Sequence, residues 1–166
     1  SVTILSPTLI EIYKQGKFGL MNTKGKSLTK CEYEDFINFY GKATATWAKR
    51  NGKYGILNMK GKEVLPAEYD MVSGPDNGTF AVKKAGRYAI YSEAGKPLSG
   101  FVYDAVNLLS DGVFTVQEGK TWKIIDKKLQ EVLNLGEKYS FVGNFEGGLA
   151  RASAQGKWGF INPKGE

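Results

Sequence analysis

One phrase returns five times along this chain of 166 residues, a glycine followed by a basic residue: Gly16-Lys17, Gly52-Lys53, Gly86-Arg87, Gly119-Lys120 and Gly156-Lys157. The glycines are spaced 36, 34, 33 and 37 residues apart. After each pair comes an aromatic, usually a small residue, two apolar residues and a short polar one: FGLMN, YGILN, YAIYS, WKIID and WGFIN. The fourth copy reads as carrying one inserted residue, Thr121. A period of 33–37 residues is the mark of a repeat architecture, in which one unit cannot bury its own apolar face and stacking supplies the core.

Two more words keep the same phase. Upstream of each pair, a glycine turn feeds an alternating run, as in YGKATATWAKR, DNGTFAVKKA, SDGVFTVQE and EGGLARASAQ. Downstream lies a tyrosine spaced from an apolar residue: Tyr33 to Phe36, Tyr69 to Val72, Tyr103 to Val106, Tyr139 to Val142. Alternation with period two predicts half-buried strands, and Gly with Asn, Gln or Glu between strand-like runs predicts tight hairpins. EVLP (63–66) predicts a short third strand closed by Pro66, and the tyrosine word a fourth, very short strand or a bend. No segment carries a helical period over ten residues. The small residue after the aromatic is Ala89 in one copy and Lys123 in another, so positive φ is not required there. A neighbouring ring lying over a bare backbone is the expected reason for glycine at that place.

The fold class is therefore all-β: about five tandem antiparallel β-meander repeats in an open twisted array, with a closed five-bladed β-propeller as the alternative. SVTIL opens the first unit, which leaves no spare strand with which the N-terminus could complete the last one and favours the open form. Glu166 falls where the counterpart of EVLP should begin. Residues 1–166 thus read as a single array and as a fragment of a longer repeat protein.

The words GKFGLMNTKGK, GKYGILNMKGKEVLPAEYDMV and GKWGFINPKGE, with FEGGLARASAQ before the last, resemble the WG (KWG) β-repeat family over essentially the whole chain. Copies two and five carry the likeness best. Copy three departs at Arg87 and Ala89, copy four at Thr121, Lys123 and Leu129. The resemblance implies a bacterial protein of many copies with no assigned activity, and it supplies no catalytic residue.

Composition narrows the functions. Histidine is absent, which removes His-activated nucleophiles and His-ligated metals. Cys31 is alone, so no intrachain disulfide and no cysteine-based zinc site forms. No phosphate loop is present, and the acidic turns GPDNG and SDG lack the alternating spacing of a calcium loop. The acids Glu32, Glu34, Asp35, Glu68, Asp70 and Asp104 recur beside the tyrosine word, where they are expected to satisfy backbone donors or lysines rather than catalyse. No apolar run is long enough for a membrane helix. The chain is expected not to be an enzyme and to need no cofactor.

What remains is binding. The formal charge is +6. Lys17, Lys53, Arg87, Lys120 and Lys157 hold one equivalent turn position, with Lys24, Lys26, Lys60, Lys62, Lys96 and Lys164 at a second turn. Together they form an expected basic edge suited to solubility and strand-edge protection or to an anionic partner. The aromatics Phe18, Tyr54, Tyr88, Trp122 and Trp158 are expected in the core. Trp47 has no aromatic counterpart in later copies and is the remaining candidate contact. The expected function is a non-catalytic interaction scaffold. The alternative is a carbohydrate- or polyanion-binding module of the bacterial cell envelope, which slightly favours an extracytoplasmic or envelope location. A protein, glycan or anionic envelope partner fits, and a nucleic acid fits poorly because no stacking aromatic is evident beside the lysines.

Overall fold

The computed structural model describes residues 1–166 and contains sixteen strands and no helix, so no helix is long and apolar enough to cross a membrane. Repeat one consists of β1 (Val2–Ser6), β2 (Leu9–Lys14) and β3 (Lys17–Asn22). Repeat two has β4 (Ala45–Arg50), β5 (Lys53–Asn58) and β6 (Glu63–Tyr69). Repeat three has β7 (Met71–Asp76), β8 (Thr79–Lys84) and β9 (Arg87–Ser92). Repeat four has β10 (Ala105–Ser110), β11 (Val113–Glu118), β12 (Thr121–Asp126) and β13 (Glu131–Gly136). Repeat five has β14 (Phe141–Val142), β15 (Ala150–Ala154) and β16 (Lys157–Ile161). Each repeat is its own antiparallel sheet with strands in sequence order.

The recurring glycine makes the central hairpin of each sheet. Gln15-Gly16, Asn51-Gly52, Ala85-Gly86 and Gln155-Gly156 all have positive φ at both positions, the two-residue turn whose twist matches the flanking strands. Repeat four differs. Glu118 pairs with Thr121, so its turn is Gly119-Lys120 and only Gly119 is left-handed. Thr121 therefore stands where Lys17, Lys53, Arg87 and Lys157 stand, and there is no insertion.

The short polar residue ending each word also has a job. The Asn22 carboxamide oxygen accepts the N–H groups of Lys24 and Lys26, and Asn58 does the same for Lys60 and Lys62. Asp126 and Asn162 cap Lys128 and Gln130, and Lys164 and Glu166, in the same way. Ser92 reaches only Lys96. Asx caps of this kind hold a turn closed from within.

Beyond that turn the repeats diverge. In repeat four the strand β13 completes a four-stranded sheet. In repeat two, Pro66 does not close the third strand. β6 runs through it to Tyr69 with a register slip, so that Leu65 opposes Ile56 and Tyr69 opposes Tyr54. Repeats one and three keep only single bridges, Met21 to Ser27 and Phe18 to Tyr33, and Tyr91 to Pro97 and Tyr88 to Tyr103. There the hydroxyls of Thr29 and Ser99 accept the N–H groups of Leu20 and Ile90, replacing a missing ladder bond.

Stacking the sheets makes the core. Four buried clusters lie at the four junctions between consecutive repeats. Leu9, Leu20, Tyr33, Ile37, Ala48 and Leu57 join repeats one and two. Ile56, Leu65, Val72, Phe80, Val82 and Tyr91 join two and three. Ile90, Tyr103, Phe114, Val116 and Ile125 join three and four, and Trp122, Ile124, Val142, Phe145 and Ile161 join four and five. No buried cluster joins repeat five to repeat one, so the array is open.

Glycine after the aromatic serves a backbone contact, not the ring contact expected from sequence. A Cβ on Gly55 would collide with the Leu65 carbonyl oxygen, and one on Gly19 would lie 2.8 Å from that of Lys30. Lys123 is tolerated at the equivalent place in repeat four, where it opposes Asn134 of β13 and lies 3.7 Å from Glu118 and 3.6 Å from Glu131. A Cβ on Gly159 would meet nothing within 4 Å. One substitution therefore has two outcomes. Gly55→Ala is expected to destabilise by about 1–3 kcal/mol through overpacking. Gly159→Ala should change stability by less than about 0.5 kcal/mol. Chemical denaturation of both variants checks the contrast, and equal effects would refute it.

Candidate binding surfaces

The basic residues do not form one edge. Lys17 opens β3 while Lys24 and Lys26 follow its far end, and a six-residue strand separates the two by roughly 17 Å. Lys17, Lys53, Arg87 and Lys157 sit on the rim formed by the central hairpins. Lys60, Lys62, Lys96 and Lys164 sit on the opposite rim with Lys24 and Lys26. Lys120 belongs to the hairpin rim but lies within its turn, because Thr121 takes the strand position. Register adds three residues that sequence reading passed over. Lys14 opposes Lys17, Arg50 opposes Lys53, and Lys84 opposes Arg87. Each lies three residues before its partner, so the signal was present in the hairpin spacing. Like charges placed directly opposite one another cost stability.

Part of this charge is used within the fold. Arg50 grips Glu63 with two bonds, Nε to Oε2 at 2.8 Å and Nη2 to Oε1 at 2.9 Å, while the Tyr33 hydroxyl donates to Oε2 at 2.7 Å. The Arg50 fork holds the Glu63 carboxyl below the usual range, against a smaller opposing effect of burial. Lys53 bonds Asp70 at 2.9 Å. Lys49 and Lys83 lie over the rings of Tyr54 and Tyr88. The acids that follow the tyrosines behave as expected for structural groups. Glu34 accepts the Gly52 N–H, Asp70 that of Ala85 and Asp104 that of Gly119, each reaching the next repeat's hairpin. Lys14, Lys17, Lys84, Arg87, Lys120 and Lys157 make no ion pair and remain the free part of the hairpin rim.

The aromatics fall into the junctions, as expected for core residues, with one exception. Trp122 is buried, Phe18, Tyr54 and Tyr88 are half-buried against the next repeat, and Trp158 is exposed. Trp47 is half-buried too, packed on the cluster between repeats two and three and tilted against Tyr54 at 5.8 Å. It is a packing residue on this surface, not a free platform.

A concavity of about 680 Å³ lies along β10, every residue of which lines it from Ala105 to Ser110. Repeat three contributes Ser73, Asp76 and Asn77, and repeat five contributes Asn144 and Glu146. β10 is an edge strand, hydrogen-bonded only to β11, so its other edge presents backbone groups to this groove. Many of its polar side chains tether neighbouring repeats: Asn77 donates to the Leu109 carbonyl, Asn107 to that of Val142 and Ser110 to that of Phe145. The charged residues lining it, Asp76, Asp104 and Glu146, are all acidic. No group of acids or cysteine is arranged to hold a metal ion.

Sheets of three or four antiparallel strands, stacked face to face with their cores between them, define a tandem β-repeat array. The chain belongs to the WG containing repeat family, whose model matches residues 18–54, 54–88 and 124–158, together more than half of the sequence. The stretch between the second and third matches holds the departures at Ala89, Thr121 and Lys123. No curated protein matches the sequence. Among solved structures, Hsv2 of Kluyveromyces lactis superposes with a TM-score of 0.54 at 10% identity, over 95% of this chain and 57% of that one. Hsv2 of Kluyveromyces marxianus gives 0.56 at 10% identity, over 96% and 56%, and a eukaryotic initiation factor gives 0.53 at 10%, over 89% and 48%. The chain thus spans at most three fifths of the length of the Hsv2 chains it matches over nearly its whole extent. The Hsv2 proteins are β-propeller-like, so the repeats are disposed like neighbouring blades of a propeller without closing the ring.

One charge in the array is held at a cost. Glu11 is buried between repeats one and two, and its carboxylate accepts the N–H of Ile37, where repeat two lacks a regular first strand. Burial pushes its carboxyl above the usual range, outweighing the bond from Ile37. A raised folded value favours the protonated form, so this group's contribution to stability is lost as pH rises through it. Glu63 has the opposite sign: its contribution is lost as pH falls through its lowered value. Glu11→Gln keeps an acceptor for Ile37 and removes the charge. It is expected to raise the melting temperature at pH 7, with the advantage vanishing below about pH 4, where an ordinary glutamate is protonated. Thermal melts across that range check it, and an advantage independent of pH would refute it.

Proposed function

We propose that this array is a non-catalytic interaction scaffold that takes an extended peptide segment of a partner protein along β10. The observation that carries the reading is the groove of about 680 Å³ running the length of an edge strand. Added strands obtain affinity from main-chain bonds to such an edge and specificity from alternate side chains. The acids Asp76, Asp104 and Glu146 along it favour a segment carrying lysine or arginine. Three of its polar side chains, Asn77, Asn107 and Ser110, are engaged with main-chain carbonyls, and Asn144 with the Glu146 carboxylate. This supports binding over catalysis.

The polyanion reading rests on a different surface, the free basic residues Lys14, Lys17, Lys84, Arg87, Lys120 and Lys157 of the hairpin rim. A carbohydrate platform draws less support, because Trp47, Phe18, Tyr54, Tyr88 and Trp122 are packed at junctions. A phage-displayed peptide library panned on the 166-residue chain, alongside heparin as the polyanion probe, separates the two. Selected peptides are expected to be basic and to lose at least tenfold in affinity to Glu146→Lys and Asp76→Lys. Heparin binding that Lys84→Glu and Arg87→Glu abolish, with no groove-dependent peptide, would overturn the groove reading in favour of the rim.

A further inference from the structure

We propose that the hairpin rim between repeats one and two takes the side-chain ammonium of a lysine from a partner protein, held by the rings of Tyr13, Phe18 and Phe36 and the carboxylate of Glu11. The reasoning starts from what the other repeats place over the same ring. The aromatic after the recurring hairpin packs against the following repeat as Phe18, Tyr54 and Tyr88. The strand before the hairpin sets one side chain directly opposite that ring. In repeats two and three it is a lysine, Lys49 opposite Tyr54 and Lys83 opposite Tyr88. Both ammonium groups lie over the rings, 5.5 and 5.4 Å from the centroids. In repeat five Arg151 lies over Trp158. In repeat four the ring is that of Trp122, which is buried and leaves no face to cover. Wherever this ring keeps an open face in repeats two to five, a cation of the chain covers it.

Repeat one departs from that pattern. A second ring, Tyr13, opposes Phe18 with centroids 4.7 Å apart, and no cation of the chain lies over either. Glu11 stands two residues earlier on the same face, where the other repeats have Trp47, Ala81, Thr115 and Arg151. It is the one carboxylate in that series. One of its oxygens accepts the Ile37 N–H, the other accepts no bond, and it has no ion-pair partner. The missing first strand of repeat two opens a third side. Phe36 stands where Val72 and Val142 are buried, yet it is 62% exposed, with its ring edge-on to Phe18 at 6.3 Å. A cavity of about 340 Å³ is lined by Glu11, Tyr13, Phe18 and Glu34, with Ser1, Thr3 and Gly16 around them. Glu34 already faces Lys49 at 3.7 Å, which leaves Glu11 as the uncompensated charge. Strand alternation puts Lys14 and Lys17 on the other face of the hairpin. Phe18 faces repeat two as Tyr54 faces repeat three, so the site is interior to the array. Rings attract a cation through their negative faces, and the free Glu11 oxygen accepts an N–H, which a primary ammonium supplies and a quaternary one does not.

Titration of the ¹⁵N-labelled 166-residue chain with n-butylammonium, the lysine side chain without its backbone, tests this apart from the groove. The amide signals of Tyr13, Phe18 and Ile37 are expected to shift saturably, and to do so equally in Asp76→Lys and Glu146→Lys, which disable the groove. Tyr13→Lys gives repeat one the lysine that repeats two and three use. It is expected to fill the site from within and weaken binding by roughly tenfold, with an unchanged melting temperature. Glu11→Gln is expected to weaken binding by a similar factor of roughly ten without loss of stability, so unfolding does not account for the effect. Neutral 1-butanol is not expected to compete. Absence of shifts at these three residues, equal binding of 1-butanol, tighter binding of tetramethylammonium, or binding indifferent to Tyr13→Lys and Glu11→Gln would each overturn the proposal.

Discussion

Every well-buried side chain cluster in this protein is shared between two repeats. A three-stranded sheet has two faces and no interior, and here the apolar residues of the strand after the recurring hairpin alternate, one set toward the preceding repeat and one toward the next. Ile56 and Leu57 are adjacent in β5, yet they belong to different cores, one with repeat three and one with repeat one. Stability in such an array is a sum over junctions rather than a property of any unit. The hydrophobic effect sets the direction of assembly, since a sheet without a neighbour leaves its face in water.

Polar contacts repeat at the same junctions and fix their geometry. Each tyrosine is followed by a residue whose side chain bonds the next repeat's central hairpin in the first three units, so the register between sheets is set by a charge-assisted bond at one rim. The inner strands are tied separately, by Asn77, Asn107 and Ser110 bonding carbonyls one repeat onward. Two rows of tethers flanking an apolar junction restrain both sliding and rotation of one sheet on the next. Hydrogen bonds of this kind add little net stability, but a wrong register would leave their groups unpaired, and that is costly.

The meander, the hairpin and the period were legible because they are local: turn chemistry and alternation act over a few residues. The core placement of the aromatics and the structural role of the acids were legible for the same reason, since both recur with the period. What sequence did not reveal depends on which backbone comes close to which. Gly55 reads as a place for a ring, but a carbonyl of a bulged strand is what occupies the space. Pro66 reads as a strand terminator, but an edge strand with a register slip accommodates it. Thr121 reads as an insertion because Gly-Lys is the landmark that recurs in sequence. In repeat four the glycine stands one place earlier within the same two-residue turn, and the strand position stays. The two basic rims read as one because sequence gives phase but not which end of a strand a residue occupies.

In a periodic molecule, whatever occurs in all copies is accounted for by the stacking, and specificity falls to the places where the copies differ. Repeat four carries most of the differences. It has a complete fourth strand, a turn whose glycine comes first rather than second, threonine at the strand position that is basic elsewhere, and Leu129 in a left-handed conformation where other copies use glycine. Its first strand is also the one that lies open along the groove. The basic pairs opposed across the hairpins of repeats one to three stop there, giving way to Glu118 opposite Thr121. Paired basic charge on the hairpin rim therefore ends at the same repeat whose first strand lines the groove. The rim thus carries unpaired opposed basic residues in repeats one and three, and an acidic groove lies along repeat four, an asymmetry that identical copies could not provide.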